Sequence, residues 1–122
     1  MIMSLSSQEE IRYARHLNIP GFGLKGQLKL KNASVLIVGC GGLGSASATY
    51  LAAAGVGHIG LVDSDVVDLS NLQRQIMHGM STLSQPKVFS ASKRLKDINP
   101  NVRIDIFNEH LIKENAQTVI GD

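Results

Sequence analysis

The stretch SVLIVGCGGLGSASATYLAAAG, residues 34–55, narrows most what this chain can fold into. A continuous apolar run from Ser34 to Val38 marks a strand buried on both faces, and so one in a parallel sheet. Gly42 to Ala54 reads as a helix of small residues, with Gly55 as its C-cap. Between them, Gly39, Gly41 and Gly44 fit G-x-G-x-x-G, with Gly42 as an extra glycine. Gly39 allows a tight turn off the strand. Gly41 and Gly42 let a phosphate approach the backbone, and Gly44 lets the helix pack closely on the sheet. Free N–H groups and the helix dipole then favour an anion at this point. Cys40 reads as a small residue packed under the loop rather than as a reactive thiol. The motif establishes a seat for phosphate. It fits the holder of a redox dinucleotide as well as a protein that does chemistry on a nucleotide.

The rest of the chain supplies the matching elements. SQEE predicts a capping box with Ser7 as cap and Glu10 at the third helical position, opening a helix through about His16. Pro20, Gly21 and Gly23 break it, and Leu24 to Lys31 predicts another short helix or a turn, with lysines on a solvated face. Residues 1–33 thus form an N-terminal helical extension. Ile59 to Val62 predicts a second buried strand, and Asp63 to Asn71 a polar loop, with NLQRQIMH beginning a helical turn. Pro86 opens a helix whose inner face carries Val88, Ala91, Leu95 and Ile98. Asn99 and Pro100 stop it. Val102, Ile104 and Ile106 alternate with polar residues as a third strand, and a last helix covers about Lys113 to Ile120. The order β-α-β-α-β-α predicts an α/β fold: a Rossmann-like parallel sheet with flanking helices and right-handed crossovers.

Length and composition limit the function classes. The chain has 122 residues, which predicts one domain. Its net charge of +2 and aromatic content of 4% argue against a nucleic-acid partner. No apolar run reaches the ~20 residues that span a bilayer, and the polar start is no secretory signal. The single cysteine permits no internal disulfide and no all-cysteine zinc site. A cytoplasmic setting is expected.

Chemistry enters downstream of the glycines. Asp63 ends the second strand near the ~20-residue spacing expected of a ribose-binding carboxylate. DSDVVDLSNLQRQ and QPK follow. Two cations, Arg74 and Lys87, suit a triphosphate better than a dinucleotide, most of all if charge develops on phosphorus. Asn71 and Gln75 are candidates to bond phosphate oxygens or to orient Arg74. Asp65 is a candidate for a turn cap or for approach to Mg²⁺. Asp68 suits a turn cap equally well, since loop aspartates bond nearby N–H groups. No residue is singled out as a direct metal ligand.

Taken together, RYARH (12–16), VLIVGCGGLGS (35–45), LAAAGVGHIGLVDSDVVDLSNLQRQ (51–75), QPK (85–87) and INPNV (98–102) resemble the ubiquitin-activating-type adenylyltransferases. The nearest group is the molybdopterin-synthase and thiamine-pathway activators and their eukaryotic relatives of tRNA thiolation. That resemblance implies ATP and Mg²⁺, and a ubiquitin-like sulfur-carrier protein whose C-terminal glycine carboxylate is adenylated with release of pyrophosphate. It implies that Gly42 touches phosphates through its backbone and Asp63 holds the ribose. Ser70, Asn71, Leu72, Gln73 and Arg74 would line the triphosphate, with Arg74 the main cation and Lys87 beside it. Arg15 would enter the partner subunit's site across a homodimer.

Family members run on well past one half-sheet. Their further part carries a Mg²⁺-binding aspartate, usually two pairs of zinc-binding cysteines, and in many a catalytic cysteine; none has a counterpart here, and Cys40 is not in the catalytic cysteine's place. The chain therefore reads as an apparently truncated adenylation domain, its N-terminal half. A three-stranded sheet of this kind leaves an unpaired edge and an open apolar face, so self-association or pairing with a missing segment is expected. Two other readings stand: a catalytically incompetent fragment that only binds nucleotide or dimerises, and a nicotinamide-binding oxidoreductase domain.

Overall fold

The strand, turn and helix of residues 34–55 form where their glycines set the limits. The structure is a computed structural model that describes residues 1–121; the chain end at Asp122 lies outside them. β1 runs Ser34–Val38 and α4 Gly42–Ala54. Gly39 turns off the strand at φ 97°, and Gly55 closes the helix in the left-handed region. Before them lie α1 (Ser7–Arg12), α2 (Ala14–Leu17) and α3 (Gly23–Lys31). After them come β2 (His58–Val62), α5 (Lys87–Ile98), β3 (Arg103–Phe107) and α6 (Ala116–Ile120). The sheet is parallel, in the order β1-β2-β3, with Val35, Ile59 and Ile104 aligned across it. This is the Rossmann-like arrangement expected from the β-α alternation.

One sheet face carries the core. Ile59 and Leu61 are fully buried there against Ala48 and Ala52 of α4 and Val88, Ala91 and Leu95 of α5. Alanines on α4 let it lie close to the strands. Each fully buried aliphatic chain of this size contributes roughly 1.5–3 kcal/mol. The other face presents Leu36, Gly60 and Phe107, and Ser34, His58, Arg103 and Asp105, beside α6. His58 Nε2 bonds Asp105 at 2.7 Å and Arg103 reaches the same carboxylate at 3.2 Å. His58, then Arg103, holds the Asp105 carboxyl below its usual range.

Several expectations are corrected. The cap is Ser6, not Ser7: its Oγ accepts from Glu9 N–H at 3.1 Å, and Glu9, not Glu10, returns the bond to Ser6 N–H at 3.0 Å. That frame lets buried Glu9 meet Lys31 at 2.6 Å. Burial pushes the Glu9 carboxyl up, but Lys31 and the Ser6 bonds outweigh it and hold it low. The first helix stops at Arg12 because Tyr13 turns inward, where its hydroxyl accepts from Asn99 Nδ2 at 2.7 Å. β1 is not buried on both faces: it pairs only with β2 among the described residues, and Val38 is 59% exposed. β2, flanked on both sides, is the strand that meets that expectation. Pro86 caps α5 from outside rather than opening it. β3 starts one residue late because Val102 N–H bonds Asn99 O in the preceding turn. α6 begins at Ala116, after Asn115 has spent its side chain on Ile112, Glu109 and His110.

Candidate nucleotide site

The glycine loop sits at the C-terminal end of β1, and its four glycines differ in what surrounds them. A Cβ on Gly44 would press into the Gly39 carbonyl oxygen, so close packing explains that glycine, though against the loop's own backbone. A Cβ on Gly42 meets nothing within 4 Å, and one on Gly41 meets only Gln75 Nε2 at 3.6 Å. No protein atom fills the space over Gly42, the position expected to meet phosphate. Alanine there is therefore expected to leave the melting temperature unchanged or slightly higher, because alanine favours helix by up to about 1 kcal/mol over glycine. Affinity for ATP, read by calorimetric titration, is expected to fall about tenfold. Unchanged affinity would overturn the idea that the ligand touches this backbone.

β2 brings Asp63 to the loop. Its Oδ2 accepts the Cys40 N–H at 2.8 Å, and its Oδ1 accepts the Asp65 N–H at 2.7 Å. The ribose candidate thus already ties the loop to the next strand. Each carboxylate oxygen keeps a second lone pair, so the tie does not exhaust it. Cys40 is fully buried, and burial first, then the Asp63 charge, pushes its thiol up to about 12, so it is no nucleophile.

Lys87 arrives by a less obvious route. Val66 and Pro86 form an antiparallel bridge, with Lys87 N–H donating to Asp65 O at 2.9 Å. DSD and QPK, remote in sequence, thereby lie side by side. The Lys87 side chain is only 8% exposed, yet its sole ionic partner among the described residues, Asp65, stands 3.7 Å off and is 67% exposed. The Lys87 side chain is thus largely withdrawn from water while its counter-ion stays loose, which leaves the ammonium able to take an anion. Gln75 is also buried, and its Oε1 has no hydrogen-bond partner. A lone buried carbonyl oxygen of this kind calls for a donor from a ligand or water.

The turn after Asp63 is self-capped. Asp68 Oδ2 accepts the Ser70 N–H at 2.9 Å and also the Ser70 hydroxyl, and Asn71 Oδ1 accepts the Asp68 N–H at 3.2 Å. Those Ser70 bonds hold the exposed Asp68 carboxyl below its usual range. The capping role considered for Asp68 is the one it has; Asp65 instead faces Lys87. Leu72, Gln73 and Arg74 follow in this turn. The Arg74 guanidinium rests on Ser70 O at 3.3 Å, exposed, rather than on the glycines.

Arg15 is placed elsewhere. Tyr13, two residues before it, bonds Asn99, which bonds Ala52 O at 2.8 Å. His16, the residue after it, bonds Gln27, whose Nε2 donates to Ala54 O at 2.8 Å. These contacts fix the N-terminal helices at the far end of α4 from its glycines, about 20 Å away for a helix of this length. The structure brings together the glycines, Asp63, Gln75 and Lys87. It does not bring Arg15 to them within one chain.

Sequence reasoning missed His78. It is 7% exposed, with Nε2 2.8 Å from Cys40 O and Nδ1 2.8 Å from Ser90 Oγ. The available signal was Ser90, a polar residue beside Val88 and Ala91 on the inner face of α5. Burial lowers the His78 imidazole below its usual range; the Cys40 carbonyl opposes this, Lys87 adds to it and Asp63 opposes it. In the unfolded chain the ring protonates near pH 6.5, but in the fold only at lower pH. The unfolded state therefore binds more protons just below that value, and stability, full above it, falls as pH drops through it. Urea midpoints measured from pH 7.5 to 5.5 are expected to fall more steeply for the wild type than for His78→Gln.

With this geometry in hand, residues 13–122 match the ThiF family. The chain belongs to the ThiF family. It is 58% identical over 117 residues to the adenylyltransferase and sulfurtransferase MOCS3 of Sus scrofa, covering 96% of this chain and 26% of that protein. It is 51% identical over 113 residues to the probable adenylyltransferase/sulfurtransferase MoeZ of Mycobacterium tuberculosis, covering 93% of this chain and 29% of that one. Among solved structures, E. coli tRNA N6-threonylcarbamoyladenosine dehydratase TcdA in complex with ATP matches with a TM-score of 0.89 and 27% identity, over 97% of this chain and 48% of that one. E. coli MccB with ATP matches with a TM-score of 0.78 and 30% identity, over 88% and 33%. The chain thus spans roughly a quarter to a third of these curated relatives. As a ThiF family chain it is related to named adenylyltransferases and carries their Rossmann-like fold. No helix among the described residues is long and apolar enough to cross a membrane.

Proposed function

We propose that this ThiF family chain forms the ATP seat of an adenylyltransferase that activates the C-terminal carboxylate of a ubiquitin-like sulfur carrier. The observation that carries the reading is the buried, loosely paired Lys87 ammonium set beside an open glycine loop. In the reaction a carboxylate oxygen attacks the α-phosphorus of ATP. The bond from that phosphorus to the bridging oxygen breaks, and pyrophosphate leaves. No covalent step by the protein is required; placement and charge neutralisation suffice. Backbone N–H groups of Gly41 and Gly42 would hold phosphate, Asp63 the ribose, and Lys87 the growing negative charge. Arg74 would leave Ser70 O for the triphosphate, and the Gln75 amide Nε2, which faces Gly41, would donate to a phosphate oxygen. Mg²⁺ would travel with the phosphates, near Asp65. Among the described residues no three His, Cys, Asp or Glu side chains cluster to hold a metal by themselves.

Arg15 fits the same reading only across two chains, as a cation offered to the site of a second copy in a homodimer. ATP–pyrophosphate exchange with a candidate carrier, wild type against Arg74→Ala, tests the proposal. Exchange in the wild type that drops by an order of magnitude or more in the variant is expected; unchanged exchange would remove Arg74 from its role. The exposed rest of Arg74 on Ser70 O, away from the glycines, favours a second reading, nucleotide binding without turnover. Saturable ATP binding with no exchange at all would select it. Membership of the ThiF family speaks against the nicotinamide reading.

A further inference from the structure

Two successive peptide planes of the glycine loop are gripped by side chains from outside it. Asp63 takes the Cys40 N–H, which fixes the plane between Gly39 and Cys40. His78 Nε2 meets the Cys40 carbonyl, which fixes the plane between Cys40 and Gly41. In a trans peptide the C=O and the following N–H point in opposite directions. Holding the Cys40 carbonyl toward buried His78 therefore turns the Gly41 N–H away from it, out of the core. Without such a hold this plane would rotate readily, because the glycines that follow place little limit on their own dihedrals.

A carbonyl only accepts, so Nε2 must carry a proton. The rest of the network is built to keep it there. Ser90 Oγ lies 2.8 Å from Nδ1 and 2.7 Å from Thr82 Oγ1, and Thr82 Oγ1 lies 3.1 Å from Gly79 O. With a neutral ring, the hydroxyls run from Thr82 to Ser90 to Nδ1. With a protonated ring they turn round, from Nδ1 to Ser90 to Thr82 to the Gly79 carbonyl. In both states the Nε2–H stays on Cys40. The charged groups that act on this ring are Lys87 at the start of α5 and Asp63 at the end of β2.

We propose that His78 is a positioning residue for the nucleotide seat, holding the Cys40 carbonyl so that the Gly41 N–H stays aimed at phosphate. The role rests on the nucleotide reading above. Two measurements on the unliganded chain come first. Long-range ¹H–¹⁵N spectra of the wild type at pH 7.5 are expected to show a neutral His78 with its proton on Nε2; a proton on Nδ1 alone overturns the role. Amide hydrogen exchange is then compared at Cys40 and at Leu61 in the central strand. His78→Leu leaves the Cys40 N–H on Asp63 but removes one hydrogen bond that resists opening of the loop, so exchange at Cys40 is expected to speed by about fivefold and Leu61 to stay as it was. His78→Gln, whose amide N–H can reach the same carbonyl, is expected to restore the slow rate. Equal rates in the two variants, or a rise matched at Leu61, overturns it.

An ATP titration of the same three proteins separates the role from the reading beneath it. Weaker binding by His78→Leu with recovery in His78→Gln supports the role, and undiminished binding by His78→Leu overturns it. A wild-type chain that binds no ATP overturns the nucleotide reading and this role with it, whatever the exchange rates show.

Discussion

Gly44→Ala is expected to lose about 3 kcal/mol or more of folding stability, the upper end of what overpacking costs. The added methyl has no empty side to turn to. It would press into the Gly39 carbonyl oxygen, with Ile37 Cγ2 3.6 Å away on the strand behind. Relief would require the first turn of α4 to move off β1, and that turn is pinned by Ser45 N–H on Gly41 O at 2.8 Å. A small domain has only some 5–15 kcal/mol to spend in total, so urea unfolding should show a large loss at neutral pH. A stability within about 0.5 kcal/mol of wild type would mean that the loop is looser than its packing indicates.

Lys87→Met is expected to separate binding from stability. The ammonium is nearly buried, and its partner Asp65 is largely in water, so the fold gains little from the pair. Methionine keeps most of the side-chain volume and carries no charge to desolvate. Its melting temperature is therefore expected to match or exceed that of the wild type. Affinity for ATP should fall about 100-fold, the scale of losing a charge-assisted hydrogen bond of 1.5–3 kcal/mol. A variant that binds ATP as well as wild type would remove Lys87 from the site. A variant that loses stability as well would recast Lys87 as a structural residue.

Much of this fold was legible because glycine and proline mark its boundaries. β1 and α4 lie where Gly39, Gly42 and Gly55 set them. The helix inner face of α5 followed from spacing alone, and Val88, Ala91 and Leu95 are all fully buried. Strand burial was less legible, because an apolar run does not say which strand stands at the sheet edge: β1 pairs only with β2 among the described residues, while β2 is flanked on both sides. The cap slipped by one residue because Ser6 and Ser7, and Glu9 and Glu10, satisfy the same pattern; only the long-range pair with Lys31 chooses between them. In the site, Asp63 and the glycines could be read locally. The nearness of Lys87 to the loop depends on the Val66–Pro86 bridge, and His78 on a buried network drawn from three segments. Neither leaves a periodic trace in sequence.

The opposite placement of Arg15 and the glycine loop carries a kinetic consequence. If Arg15 completes the site of another copy, no isolated chain has a whole active centre. Turnover per chain would then depend on how many chains are present, dropping on dilution and recovering on concentration. Two inactive variants, one altered at Arg15 and one at Lys87, would rescue each other on mixing, because a mixed pair assembles one intact centre. The amount of protein made would itself become a control on rate.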